Sequence, residues 1–471
     1  MADPTKNFPN LSIPCCFGYI LASLTLVAFF VLPCYSQRPQ SSSVGNRVLT
    51  AERQEYERLL AEWKPMVGEL SKLRYQYFDV KRKPEEGEIV VVEQTPERKE
   101  LRKQFESKFA AAQKKHDQVI DAAIFAYARD PEKNRDLESS LLQTLHYFMS
   151  RDMYEDAQKI AQALLAQKIS NPLVIRAAAE SAMYTGDYDT AKVFIEKIKE
   201  LGLLTDYQFQ ESDFRYVDLF AKFWEREKKL RNQELMKGDN PRVVLYTTQG
   251  EIEILLFEDQ APNTVANFIF LVEKGYYTKL DFHRVLSGFM AQGGGEEQLK
   301  EIDLKTLQCK VRRGGPGYTI LDEAPKFDLE KRDFPEDARF HWRGSVSMAK
   351  TDEANSAGSQ FFIMFTPRLQ QNGTYTVFGR VIRGMDVVCR LARRDPGAVI
   401  SRSQLPQADK IIEAKVVYKR DHKYSPNIVP DDKQKPPFPK FPVVLEDQPK
   451  DENEWDPVQY IMDHSPAVDA K

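Results

Sequence analysis

Helical periodicity stops at Gly238-Asp239-Asn240-Pro241, and a β-prone pattern begins beyond it. One fold cannot run through such a change of period, so the chain must build two unlike units, helical before the break and β-rich after it. A length of 471 residues agrees with two or three domains. Upstream, Thr50 is placed to cap a helix in which Leu59, Leu60, Trp63, Met66, Val67, Leu70 and Leu73 recur at three- and four-residue spacings. Pro65 is expected to kink or divide that helix. Lys81 to Glu88, KRKPEEGE, reads as an exposed loop, a second helical run covers about Pro96 to Arg129, and a charged helix covers about Asp213 to Lys237. Downstream, Val243 to Phe257 holds two β-prone runs around Thr248-Gln249-Gly250, the pattern of a hairpin.

Within the helical unit, 50–237, a weak internal repeat lays Tyr154-Glu155-Asp156-Ala157 over Tyr188-Asp189-Thr190-Ala191, 34 residues later. That is the period of tetratricopeptide repeats, and Gly186-Asp187-Tyr188 followed by Ala191 resembles that family's small-residue packing positions. The match covers two units, about Leu137 to Gly202, where three are usually needed. Neighbouring helices must then complete the core, and an ordinary helical bundle is the competing reading.

The two ends differ from the middle. Cys15 to Leu32 is an uncharged run of 18 apolar or small residues between Lys6 and Arg38. It reads as a signal peptide cleaved after Ser36, within residues 1–36, or as an uncleaved anchor at the lower limit of a spanning length. Either way the remainder is expected outside the cytoplasmic membrane: periplasmic, secreted or anchored on its outer side. Residues 37–49 read as a polar linker. Beyond residue 422, nine prolines and a net charge of −4 in 423–471 describe a solvated, extended tail.

Several function classes are excluded. Basic residues (67) and acidic residues (70) are interspersed, with no basic stripe for nucleic acid. Of five cysteines, only Cys309 and Cys389 lie beyond the N-terminal run; they lack CxxC spacing and a His pair, which argues against a metal site and favours two separate buried thiols over a disulfide. GxSxG, HExxH and a Cys/His pair in family-like context are missing from the β-rich unit, so neither hydrolysis nor metal chemistry is supported, and no cofactor is expected.

The motifs that remain come in a fixed order: Phe282-His283-Arg284-Val285 running to Phe289-Met290-Ala291-Gln292-Gly293-Gly294, then Gly314 to Thr319 before Asp322-Glu323, then Gly344-Ser345-Val346-Ser347-Met348-Ala349, Gly358-Ser359-Gln360-Phe361-Phe362-Ile363, and Tyr375 to Val381. In this order they resemble the cyclophilin family of peptidyl-prolyl cis-trans isomerases, over about 241–422. The resemblance implies a closed antiparallel β-barrel of eight strands with a helix over each open end, the first at Asn263 to Gly275. The implied chain is an all-α, tetratricopeptide-like domain followed by this barrel, acting on proline-containing polypeptides, with a protein partner for the helical domain.

The implied chemistry fits these residues. Isomerising a peptide bond breaks no bond; it must overcome the loss of amide resonance, a barrier of about 18–20 kcal/mol. A fixed cation can hydrogen-bond the amide nitrogen as it pyramidalises, favouring the twisted state. The resemblance gives that role to Arg284, steadied by Gln292. It gives the proline slot to Phe289, Met290 and Phe362, and peptide-backbone contacts to Gln360 and to Ala349 and Lys350. His283 lies beside the pocket, with a structural histidine as the alternative. The rim departs from the common pattern: Leu369-Gln370-Gln371 stands where a tryptophan and leucine are usual, and Tyr375 replaces a histidine, which puts tight cyclosporin binding in doubt. Between Met348 and Gln360 there is one residue more than in the common eukaryotic pattern, and Ser347 to Phe362 looks more bacterial; Glu296 to Arg313 is a variable insertion. The polar rim motivates a second reading, a non-catalytic module that holds proline-containing segments.

Overall fold

The structure, a computed structural model, describes residues 49–78, 96–167, 171–205, 207–208, 213–295, 297–303, 308–313, 315–326, 334–397 and 405–430. The apolar run at 15–32, nearly all of the linker, the loop at 81–88 and the tail beyond 430 lie outside them. Among the described residues no helix is long and apolar enough to cross a membrane.

Thr50 caps the first helix as expected, its hydroxyl accepting the Arg53 N–H at 3.2 Å. That helix, α1 (Ala51–Phe78), runs undivided through Pro65. The backbone bond lost to proline is offset by Leu59, Trp63, Val67 and Leu70, all buried. They pack on α2 (Pro96–Arg129), which returns antiparallel and accepts the Trp63 indole N–H at the Ala112 carbonyl, 3.1 Å. Two further pairs follow, α3 (Arg135–Ser150) with α4 (Tyr154–Ala166), and α5 (Pro172–Thr185) with α6 (Tyr188–Glu200). Tyr154 and Tyr188, the repeat residues, each open a helix, and Ala157 and Ala191 are fully buried. Gly186 ends α5 at φ +89°, and a Cβ there would sit 2.5 Å from the Trp224 ring, so the position requires glycine on both counts. Trp224 belongs to α7 (Val217–Lys237), preceded by a 3₁₀ turn at Asp213–Tyr216.

After Gly238 the chain forms β1 (Arg242–Thr247) and β2 (Gly250–Leu256), the expected hairpin, and α8 (Pro262–Glu273). The site strands are β3 (Arg284–Leu286) and β4 (Met290–Gly293). Beyond them come β5 (Glu297–Asp303), β6 (Gln308–Arg313), β7 (Tyr318–Ile320), β8 (Ser345–Met348) and β9 (Phe361–Met364). The chain continues through β10 (Val377–Arg383), α9 (Met385–Arg390), β11 (Ile411–Tyr418) and β12 (Ile428–Pro430). Eight strands form one antiparallel sheet in the order β11-β1-β2-β10-β8-β9-β4-β3; β5 pairs β6, and β7 pairs β12. The sheet curls into a half-barrel around Phe268, Tyr277, Phe282, Phe361 and Phe378. Its ladders do not close into the full barrel expected: among the described residues the edges approach through the isolated bridge Asp281 to Lys410 and the bonds beside it, Phe282 N–H donating to the Asp409 carbonyl at 2.8 Å and Ile411 N–H to the Leu280 carbonyl at 2.8 Å.

Order extends past the expected boundary at 422. Tyr424 is buried with its hydroxyl on Glu258 at 2.8 Å, and Ile428–Pro430, the last of the described residues, pairs with Tyr318–Ile320. Cys389 is a buried free thiol, as expected; the Cys309 side chain lies outside the described atoms.

The two units pack directly on each other. Phe214, Phe220, Phe223 and Tyr188 of the helical side share one core with Phe340, Trp342 and Leu369 of the sheet side.

Candidate active site

Register across the end of the sheet assembles the site. Arg284 on β3 faces Gln292 on β4, Gln292 faces Phe362 on β9, and Phe362 faces Ser347 on β8. One step along, Leu286, Met290 and Met364 form a second row. Opposed residues share a face, and the intervening Val285, Ala291, Ile363 and Val346 point into the core. One face of three short strands therefore carries a cation, an amide and an apolar patch.

Met290, Phe362 and Met364 form that patch, with Phe289, Ala349 and Tyr375 partly buried around it. The Phe362 ring stacks on His341 (centroids 5.9 Å apart, 12° between planes) and meets the edge of Tyr375 at 5.5 Å. Gln292 Nε2 donates to Gln360 Oε1 at 2.9 Å, and both amides are buried. This bond fixes Gln292 directly opposite Arg284.

Most of the expected residues are thereby brought together: Arg284, Phe289, Met290, Gln292, Ala349, Gln360, Phe362 and Tyr375. Four are placed otherwise. Leu369 is buried against Phe220 and Trp342 and is withdrawn from the Met290–Phe362 patch. It opens a 3₁₀ turn, Leu369–Gln371, that leaves Gln371 half-exposed. The Lys350 ammonium is held by Asp322 at 2.8 Å, while the Ala349 N–H is taken by the Gln360 carbonyl at 2.8 Å. His283, just before β3, is buried, which suits its structural alternative.

The residue the sequence did not reveal is His341. It is fully buried; Nδ1 lies 2.8 Å from Asn372 Oδ1 and Nε2 lies 2.9 Å from the Ser347 hydroxyl. An amide oxygen only accepts, so Nδ1 carries the proton and Nε2 accepts from Ser347. Burial holds the imidazole down at about 4, against which the Asn372 bond acts weakly. The ring is a neutral base plate for Phe362. A lone histidine within Arg339-Phe340-His341-Trp342 carries no spacing signal that would have marked it.

A pH effect follows. The unfolded chain takes up the proton near the ordinary histidine value, whereas the folded chain resists it until about 4. This stability is complete above the unfolded value and lost as pH falls through that window, about 3 kcal/mol in all. Denaturant titrations between pH 7 and pH 4 should show a steeper loss in the wild type than in His341→Gln; equal slopes would sink the assignment.

Among the described residues no cluster of three metal-ligating side chains occurs. What the face offers is an apolar cluster with a cationic residue two strands away in the same register row.

Comparisons agree with this geometry. The family described as cyclophilin type peptidyl-prolyl cis-trans isomerase/CLD matches residues 242–416, beginning just past the break in periodicity. A probable peptidyl-prolyl cis-trans isomerase of Brucella suis biovar 1 (strain 1330) is 36% identical over 174 residues, 37% of this chain and 81% of the relative. Peptidyl-prolyl cis-trans isomerase B of Bacillus subtilis (strain 168) is 36% identical over 146 residues, 31% of this chain and 86% of the relative. Peptidyl-prolyl cis-trans isomerase B of Escherichia coli (strain K12) is 33% identical over 183 residues, 37% of this chain and 98% of the relative. With its ordered motifs, its curled eight-stranded sheet and relatives matched over most of their length, this chain belongs to the cyclophilin-type peptidyl-prolyl cis-trans isomerases.

Proposed function

We propose that Arg284 is the catalytic residue of the isomerase, that Phe289, Met290 and Phe362 receive the proline ring, and that Gln292, braced by Gln360, steadies the guanidinium. The observation that carries this is the register row Arg284–Gln292–Phe362, which sets cation and slot side by side. The ring enters the slot, and the amide preceding it lies under Arg284. As the bond twists, its nitrogen gains a lone pair that the guanidinium hydrogen-bonds, an interaction the planar ground state lacks. Arginine suits this better than lysine because its planar fork stays charged and addresses carbonyl and nitrogen together.

The clients are proline-containing segments of exported proteins, and the reaction takes place outside the cytoplasmic membrane; the apolar run at 15–32 supports this placement. Two helix pairs offset by 34 residues support a tetratricopeptide-like unit, available to a protein partner. The bridge at Asp281 and Lys410 supports a barrel completed by irregular chain.

The second reading is a binding module. It draws on the withdrawal of Leu369, which leaves the polar Gln371 at the rim and a looser grip on the ring.

Isomerisation of a short Xaa-Pro peptide by the full chain separates the two. The expected result is acceleration that falls by on the order of 10²–10³ in kcat/KM in Arg284→Ala. Peptide binding without turnover in the wild type would replace the enzyme reading by the module. A soluble cytosolic chain with an intact N-terminus would overturn the location.

A further inference from the structure

We infer that the helical domain is part of the isomerase's working apparatus, and that Asp152, between α3 and α4, is a positioning residue for the turn joining β3 to β4. The inference rests on the assignment of Arg284 and the Phe289–Met290–Phe362 slot made above.

The turn is Ser287-Gly288-Phe289, three residues beyond Arg284 and immediately before Met290. Its glycine has φ +69°; the helical domain bonds its N–H directly, while Thr366 and Arg368 of the sheet domain bond its carbonyl. The Gly288 N–H donates to Asp152 Oδ1 at 2.7 Å. The Gly288 carbonyl accepts from Arg368 Nη2 at 2.8 Å, and Arg368 is in turn paired with Asp213 of the helical side at 3.3 Å. Ser287 is tied as well, its hydroxyl donating to the Ser150 carbonyl at 3.1 Å and accepting from Arg393 Nε at 2.8 Å. Arg393 closes the circuit on the other carboxylate oxygen of Asp152, Nη2 to Oδ2 at 2.6 Å.

Asp152 is built for this. Its side chain is 1% exposed, and its Oδ1 also accepts from the Tyr154 hydroxyl at 2.9 Å. Its backbone has φ +61°, a left-handed conformation that Asp tolerates better than most residues, and its carbonyl accepts from the Cys389 thiol at 3.2 Å. A buried carboxylate with both oxygens satisfied by the neighbouring domain is a fixed anchor. Without it the Gly288 N–H loses its partner and Arg393 loses its carboxylate while keeping its carbonyl and Ser287 bonds, so the turn beside Arg284 is held less tightly. Misplacement of a reacting group by about 1 Å costs up to roughly 10²-fold in rate.

The test uses the full chain, with kcat and KM measured by exchange NMR on an Xaa-Pro peptide. Asp152→Gly accepts the left-handed backbone and removes the carboxylate; Asp152→Asn keeps one oxygen for Gly288. Asp152→Gly is expected to lower kcat about tenfold, with Asp152→Asn recovering part of the loss. In an Arg284→Ala background, assayed at raised enzyme concentration, Asp152→Gly should lower kcat much less than it does in the wild type, because the part of its effect that passes through Arg284 is already lost. A loss of folded protein would lower the rate equally in both backgrounds, and that equality would overturn the inference. So would kcat within twofold of wild type in a folded Asp152→Gly. If Asp152→Gly does not fold, Asp152→Asn and Asp213→Asn carry the test in the same two backgrounds. If Arg284→Ala leaves the rate unchanged, the site assignment falls and this inference with it; if Arg284→Ala collapses and the Asp152 variants do not, the inference alone falls.

Discussion

Glu234→Ala is expected to destabilise the protein by about 3–5 kcal/mol, the cost of removing one member of a buried ionic group. Glu234, on α7, is buried and meets two buried arginines of the sheet domain. Arg380 of β10 forms a very short ion pair with one carboxylate oxygen, and Arg339 Nη1 lies 2.6 Å from the other, close enough to pair although poorly aligned for a hydrogen bond. Both guanidinium groups also lie over the Phe257 ring, 4.2 Å away for Arg339 and 5.8 Å for Arg380. Alanine would leave two buried cations facing each other. A buried lysine could escape by losing its proton; arginine cannot, so the penalty must be borne or the domains must part. Burial already pulls Arg380 down despite the carboxylate. Guanidinium chloride denaturation of wild type and variant measures the loss, and a value under about 1 kcal/mol would mean that the group behaves as a solvated surface pair. Replacing all three charges with apolar residues of similar volume should recover most of the stability, since buried ion pairs gain little over good packing.

Trp342→Ala should cost a similar amount, about 3–5 kcal/mol, for a different reason. Trp342 is 2% exposed and sits edge-on to Trp224 (5.0 Å), Phe220 (6.2 Å) and Tyr188 (6.5 Å), all from the helical domain. Truncation opens a cavity that three rigid rings cannot close. Its indole N–H has no hydrogen-bond partner among the described residues, so Trp342→Phe removes an unsatisfied donor along with some area and should cost much less. The near-UV circular dichroism should fall in Trp342→Ala, and the sheet domain should melt earlier. A Phe variant as damaged as the Ala variant would show that the indole nitrogen is satisfied in solution.

These two effects meet at the face where sequence reading was weakest. Asp213 to Lys237 reads as a charged helix, and Glu234 in isolation belongs on a solvated side; it is buried because Arg339 and Arg380 arrive from positions more than 100 residues away. Leu369 reads as pocket rim by motif, yet its side chain turns into the aromatic core shared with α7. The proline of α1 reads as a break, yet packing on α2 carries the helix through it. The tail reads as disordered from residue 423, yet Ile428–Pro430 finds an edge at Tyr318–Ile320.

What the sequence determined by itself is local or carried by ordered motifs. Period 3.6 before Gly238 and period 2 after it set the two units, and the caps at Thr50 and Asp187 and the turn at Gly186 set helix ends. The row of Arg284, Gln292 and Phe362 was legible because short strands with fixed parity bring motif residues to one face. Tertiary structure alone decided that His341 underlies Phe362, that the helical domain shares a core with the sheet, and that Asp152 grips the turn beside Arg284. Each of these depends on groups brought together from distant parts of the chain, and burial of a polar group is specified by the partners it meets there.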